Sequence, residues 1–193
     1  MSRVEEPNSP SSSISSDCQS PIQARSTKSK VNVIINNHPD IIFAKILLTI
    51  LSENKKSPDY FKKINSNQDG HFTYKVKPGI SLLDYLRRIL KYVKIEYSTL
   101  IIAMIYIDRI CKEKVFLNEF NIHRVMLIAI YMAYTYNEDR IYDNKYLALV
   151  SGLNKSEMLL LEEDFLDLID FNLFVREEIF EQYKKYFMMN QNK

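Results

Sequence analysis

Apolar residues recur at helical spacing through much of the chain. In the stretch DIIFAKILLTILSEN, Ile42, Ile46 and Ile50 fall on one face of a helix, with Leu47 beside them. This spacing predicts an amphipathic N-terminal helix over residues 38–54 that docks on a larger body.

Two later stretches are apolar on almost every side. STLIIAMIYIDRICKEK has no charged residue before Asp108, and NIHRVMLIAIYMAYTYN has none after Arg124. Helices of this kind lie at the centre of a bundle. The pattern therefore predicts two neighbouring core helices.

Helix-breaking residues are concentrated in the first part of the chain. All six prolines lie within the first 78 residues, and Gly152 is the only proline or glycine from Ile80 onward. The sequence thus predicts a loop over residues 55–78, five packed helices over 79–175 and a C-terminal helix over 176–193. The expected fold class is all-α.

Local signals place some of the helix ends. Ser81 with Asp84, and Asn154 with Glu157, have the spacing of N-terminal capping boxes. Gly152 follows NKYLALVS in the position that glycine favours after a helix.

The first 37 residues are rich in serine and poor in large apolar side chains. Such a segment buries too little surface to offset its ordering entropy, so residues 1–37 are predicted to be a disordered tail. Ser9, Ser20 and Ser57 each precede a proline and are candidate proline-directed phosphorylation sites.

Charge and cysteine usage narrow the functional class. The net charge of +2 is spread along the chain, which indicates no direct nucleic-acid partner. Cys18 lies in the polar tail and Cys111 in an apolar helix, so no disulfide is expected. No secretory leader is visible, and no uncharged apolar run reaches the ~18 residues of a membrane span. We expect a soluble intracellular protein of the nucleus and/or cytoplasm, without membrane contact.

The sequence offers no recognisable catalytic arrangement. His38, His71 and His123 are far apart, and none has the spacing with Cys, Asp or Glu that a metal site requires. No phosphate-binding loop or dinucleotide-binding turn is present. We therefore expect no metal, no small-molecule cofactor and no enzymatic activity.

Several landmarks occur in the order found in one known family. YIDR lies in the first core helix, followed by NIHR at 121–124, YDNKY at 142–146 and VSG at 150–152. Over about residues 77–175 the chain resembles the P/U-type cyclins, the group of the yeast phosphate-pathway cyclins and their plant relatives. The resemblance implies a single five-helix cyclin box with one flanking helix at each end.

The resemblance also implies a partner. Cyclins of this kind form a 1:1 heterodimer with a cyclin-dependent kinase and help to activate it, in cell-cycle control or in nutrient and phosphate signalling. The third and fifth helices of the box press on the kinase's mobile helix and bias it toward the active arrangement. Two alternatives stay open: a divergent cyclin-fold scaffold that binds partners without activating a kinase, and a nucleic-acid-associated cyclin-fold module, which should have two boxes and a basic face.

The family's contact residues map onto this chain with one departure. The fifth-helix glutamate falls on Glu162, but the third-helix lysine is replaced by Thr135. A threonine lacks the lysine's charge and reach. Either the interface is rebuilt from the residues around it, which are Tyr134, Tyr136, Glu138 and Asp139, or kinase binding is weaker or altered. We predict that the tyrosines of this turn face the kinase. Tyr131 is interpreted as a core residue.

A second departure affects substrate docking and one ion pair. The hydrophobic-patch arginine of the mitotic and S-phase cyclins is replaced by Gly79, so that docking mode is not expected here. Asp108 thereby loses its usual arginine partner, and Arg87 and Arg88 are candidate replacements.

Overall fold

A computed structural model of the chain describes residues 38–66, 70–139 and 142–189. Within these ranges all regular structure is helical, which confirms the all-α class. The predicted tail at 1–37, with the candidate sites Ser9 and Ser20, lies outside the described residues.

The described residues form eight α-helices and one 3-10 turn. The α-helices are α1 (Pro39–Lys55), α2 (Tyr60–Ser66), α3 (Leu82–Tyr92), α4 (Tyr97–Glu113), α5 (Ile122–Asn137), α6 (Asn144–Ser151), α7 (Lys155–Leu168) and α8 (Glu177–Met189), and the turn is Gly70–Phe72 between α2 and α3.

The predicted helix ends are confirmed. The Ser81 hydroxyl accepts the Asp84 N–H at 3.1 Å at the start of α3. Asn154 and Glu157 form a reciprocal capping box at the start of α7. Gly152 ends α6 with a left-handed φ of 78°, a conformation that costs glycine little.

Helix α5 forms the centre of the core. All its residues from Ile122 to Tyr134 are buried except Arg124. It packs along α4, while α3 and α7 lie on its other sides and α6 bridges α3 and α7. Each large apolar side chain buried in this way contributes roughly 1.5–3 kcal/mol, so the five-helix body is stabilised mainly around α5.

The two flanking helices pack against the same body. Helix α1 lies against α3 and α4, and α8 lies against α4. The buried face of α1 is centred on Phe43 and Leu47, while the predicted contacts Ile46 and Ile50 are only partly buried. The Phe43 ring lies 6.4 Å from that of Phe187, so α1 and α8 also meet.

The segment predicted as a loop at 55–78 contains a helix. Helix α2 forms there although its sequence shows no long helical pattern, because Tyr60 is buried and its ring packs on Phe116 at 5.9 Å. Tertiary packing therefore decides the conformation of these seven residues. Ser57 lies in the turn before α2, is half-buried, and stays a predicted phosphorylation site.

The candidate partners of Asp108 are wrong. Arg87 pairs with Asp40 at 2.8 Å, and Arg88 donates to the Val150 carbonyl at 2.7 Å. Asp108 instead pairs with Lys112, one turn along α4, at 3.0 Å and accepts the Tyr183 hydroxyl at 2.5 Å. The aspartate therefore fastens α8 to α4, which is a contact between distant segments that local spacing does not reveal.

Candidate functional site

The C-terminal turn of α5 is where this core helix reaches solvent. Tyr136 is 54% exposed, although the helix before it is buried almost all round. A large, mostly exposed aromatic ring on a rigid helix is the kind of side chain that anchors protein interfaces. Tyr136 therefore lies where the interface was predicted.

Glu162 lies beside this turn, on α7. Its Oε2 accepts the Tyr131 hydroxyl at 3.3 Å, and the side chain is half-buried. Burial, and next the Glu162 carboxylate, raise the pKa of the Tyr131 hydroxyl well above its ordinary range, so it stays a donor. One long hydrogen bond leaves most of the carboxylate's accepting capacity for a partner.

Thr135 is half-buried and turned toward its own helix. Its hydroxyl donates to the Tyr131 carbonyl at 3.1 Å and lies 3.3 Å from that of Met132. It offers a partner little more than its methyl group, in contrast to the long cation that the family resemblance implied.

Glu138 acts within the chain. Its Oε1 accepts the Thr99 hydroxyl at 2.6 Å and the Glu96 N–H at 3.0 Å. The carboxylate thus caps the N-terminus of α4, where a negative charge is favourable. This intramolecular role was not predicted. Asp139 is exposed next to it.

The prediction that Tyr134 lies in the interface is wrong. Tyr134 is 1% exposed, and its hydroxyl accepts the Tyr142 N–H at 3.0 Å, so its ring is not available to a partner. Burial raises the pKa of this hydroxyl. The reason is helical geometry: Tyr134 follows Tyr131 by three residues and shares its inward face, whereas Tyr136 is rotated away.

An exposed phenylalanine that the sequence reading missed lies at the end of α7. Phe171 is 68% exposed, and both it and Asp170 have left-handed φ values, 55° and 53°. A non-glycine residue in that region costs of order 1–3 kcal/mol, and such strain is typical of functional segments. The strained backbone presents the phenylalanine ring to solvent.

Side chains from α4 hold this segment in place. Arg109 donates to the carbonyls of Asn172 and Phe174 at 2.8 and 2.9 Å. The Tyr106 hydroxyl donates to the Leu173 carbonyl at 2.6 Å and lies near Asn137 at the end of α5. The segment therefore lies beside the C-terminal turn of α5. The signal in the sequence was YIDR itself, because its tyrosine and arginine are the two clamping residues.

Thr135, Tyr136, Glu162 and Phe171 together are called the docking face below. They come from the end of α5 and from α7 with the residues that follow it. The face combines two exposed aromatic rings with one carboxylate, and the chemistry it can offer is binding.

Helix α7 is anchored by contacts at its first turn and near its middle. The Asp164 carboxylate accepts the His71 N–H at 2.9 Å and contacts the His71 ring Nδ1 at 2.8 Å. Arg124 of α5 donates to the His71 carbonyl and to Glu157 at 3.1 Å, and its guanidinium lies 4.1 Å from the Tyr74 ring centroid. These contacts fix α7 against α5 and the segment before α3.

His123 is a buried hydrogen-bonding residue. Its Nε2–H donates to the Ile80 carbonyl at 3.0 Å, and burial lowers the pKa of the imidazole. Among residues 38–66, 70–139 and 142–189, no group of three or more His, Cys, Asp or Glu side chains could hold a metal ion. Within the same part of the chain, no helix has the length and apolar character to span a membrane.

Comparison with known proteins gives one consistent result. The cyclin family model matches residues 1–173. Cyclin-U4-3 of Arabidopsis thaliana is 41% identical over 114 residues, which are 58% of this chain and 52% of that protein. Cyclin-P4-1 of Oryza sativa is 37% identical over 109 residues, 55% of this chain and 51% of that protein. The PHO85 cyclin-like protein psl1 of Schizosaccharomyces pombe is 37% identical over 115 residues, 58% of this chain and 47% of that protein. The chain spans about half the length of the curated relatives it matches.

Proposed function

The chain belongs to the cyclin family, as a P/U-type cyclin, and from this premise we propose that it is a non-catalytic regulatory subunit of a cyclin-dependent kinase. It binds the kinase in a 1:1 complex through the docking face. The likeness to a PHO85 cyclin-like protein supports a cyclin-dependent kinase as the partner. We infer a role in cell-cycle control or in nutrient and phosphate signalling.

The observation that carries this proposal is the composition of the docking face. Tyr136 and Phe171 are 54% and 68% exposed on a rigid support, and Glu162 lies beside α5 with one internal hydrogen bond. Aromatic rings anchor an amphipathic kinase helix, and a charge-assisted hydrogen bond from the kinase to Glu162 would add about 1.5–3 kcal/mol once desolvated.

Activation follows from differential binding. A docking face that fits the active position of the kinase's mobile helix better than the inactive one shifts the population toward the active form. The cyclin supplies no reacting group in this mechanism. Its contribution is the difference in affinity for the two kinase states.

One observation favours a second candidate function. The Thr135 hydroxyl is already bonded to its own helix at 3.1 Å and carries no charge. A face without the usual cation is also compatible with a scaffold that binds a partner without activating it.

The experiment mixes the purified full chain with purified cyclin-dependent kinases from the same cell. Complex formation is measured by calorimetry, and activation by phosphorylation of a generic substrate. We expect Glu162→Ala and Tyr136→Ala each to weaken the complex by more than about 1 kcal/mol, roughly fivefold. Glu163→Ala, on the same helix, and Tyr186→Ala, with a similarly exposed ring, are the matched controls.

The outcomes distinguish a regulatory subunit from a scaffold. Binding with increased kinase activity supports the regulatory subunit, and binding without it supports the scaffold. If no kinase binds, or if the controls weaken the complex as much as the two variants, the docking face is wrong.

A further inference from the structure

A second surface of the chain has features of a binding site. An open groove runs along the outer side of α6, and its lining includes Lys145, Tyr146, Leu149, Leu153 and Lys155. None of these residues belongs to the docking face.

The floor of this α6 groove is apolar and exposed. Leu149 is 74% exposed within a helix, and Leu153 is half-buried next to it. Tyr146 contributes one ring wall: it packs against Tyr142 at 5.1 Å, and its hydroxyl donates to the Tyr92 carbonyl at 3.0 Å. That bond holds the aromatic wall in position against α3, so the apolar floor is presented on fixed backbone.

The rim of the groove is basic. Lys145 and Lys155 line it, and Lys91 lies above the adjoining Tyr92 ring at 5.3 Å from the centroid. Within the described ranges none of these three lysines has a carboxylate within ion-pair distance, although Lys55 and Lys114 each pair with one. One acidic side chain, Asp143, also lines the groove.

We propose that the α6 groove docks an acidic peptide segment of a partner protein, with an aliphatic side chain of that segment seated between Leu149 and Leu153. The two lining lysines, Lys145 and Lys155, complement carboxylates on the segment, and the leucines supply the apolar anchor site. The lysines are exposed, so their attraction is lost progressively as salt is added. Two lining lysines beside Asp143 are few for a nucleic acid, which binding domains meet with a larger basic face.

The test uses a short fluorescein-labelled peptide rich in glutamate with one central leucine. Fluorescence anisotropy is recorded as the full chain is added, in low salt and in physiological salt. Two control peptides carry alanine in place of the leucine or lysines in place of the glutamates. We expect binding of the first peptide, weaker binding of the alanine peptide, no binding of the lysine peptide, and a loss of affinity with salt.

Variants locate the site. Leu149→Ala should weaken peptide binding about fivefold, and Lys145→Glu with Lys155→Glu should weaken it about tenfold or more, because each reversal replaces an attraction by a repulsion. The matched controls are Leu48→Ala, a 45% exposed leucine on α1, and Lys45→Glu with Lys62→Glu, two exposed lysines outside the groove. Thermal melting confirms that each variant is folded.

Three results would overturn the proposal: no binding of the acidic peptide to the full chain, an equal loss in the control variants, or a self-association of the chain that Leu149→Ala abolishes and the peptide does not displace. The last result would make the groove a contact between two copies. The proposal does not depend on kinase binding, because no residue of the α6 groove belongs to the docking face. Glu162→Ala should therefore leave the peptide affinity unchanged.

Discussion

The N-terminal end of α5 is held by hydrogen bonds and an ion pair to neighbouring segments, whereas its C-terminal end presents an aromatic ring to solvent. At the first end, Asn121 accepts the Asn118 N–H at 2.8 Å, His123 donates to Ile80, and Arg124 binds His71 and Glu157. At the second end, Tyr136 is 54% exposed.

This difference assigns a separate task to each end of one helix. The closed end fixes α5 and α7 relative to each other, so the open end is held in one geometry before any partner arrives. A preorganised surface loses little conformational entropy on binding, which favours affinity. The comparison predicts that changes at the closed end reduce stability, while changes at the open end reduce binding.

The largest expected effect is at the closed end. Arg124→Ala should lower the free energy of unfolding by about 3 kcal/mol, because the side chain is only 14% exposed and its removal takes away the donor to the His71 carbonyl and one of the two donors to Glu157. Chemical denaturation measures the loss, and exposed Arg176→Ala is the control. A loss below about 1 kcal/mol would show that this end is not the anchor.

A smaller loss is expected from Gly70→Ala. Gly70 has a φ of 55°, and a Cβ there would lie 2.5 Å from Oδ2 of Asp164, the atom that His71 holds. We expect a cost of about 2 kcal/mol in denaturation midpoint measurements. Gly79→Ala is the matched control, since its Cβ would meet nothing within 4 Å and should change stability by less than about 0.5 kcal/mol. Equal effects of the two substitutions would contradict the prediction.

A substitution beside the C-terminal end of α5 should weaken kinase binding and leave the stability of the fold nearly unchanged. Phe171→Ala removes a 68% exposed ring and should weaken the kinase complex by about 1–2 kcal/mol in calorimetry, with the unfolding transition nearly unchanged. Phe61→Ala, with a 77% exposed ring on α2, should change neither property. A large loss of stability in Phe171→Ala would mean that this ring supports the fold.

The smallest expected effect is a pH dependence of stability that arises from His123 near the N-terminal end of α5. Burial lowers the pKa of His123 in the folded chain, so the unfolded chain takes up a proton first as the pH falls below about 6.5. Stability from this group is therefore complete above that pH and is lost as the pH falls toward the folded-state pKa. We expect a loss of stability as the pH falls below about 6.5, measured by denaturation at several pH values, that is absent in His123→Asn. An unchanged pH profile in that variant would exclude the histidine as its source.

Local signals in the sequence were enough for the helical framework. Ser81, Asn154 and Gly152 mark helix ends through bonds to residues a few positions away, and the apolar runs of α4 and α5 indicate burial by themselves. These features depend on short-range chemistry, so one sequence reveals them.

Features that depend on contacts between distant segments were missed. The clamp from Arg109 to Asn172, the cap from Glu138 to α4 and the packing of Tyr60 on Phe116 all join residues far apart in the chain. Tyr134 is a different case, because its three-residue spacing from Tyr131 already indicated the core.

The clamp on the segment after α7 also bears on which of its side chains can change. Arg109 and Tyr106 grip carbonyl oxygens, which every amino acid carries, and not the side chains of residues 172–174. Substitutions at the exposed positions Asn172 and Phe174 can therefore alter the surface beside the docking face while the chain path stays the same. The side chains at these two positions can change at little cost to folding, because the backbone is held independently of them.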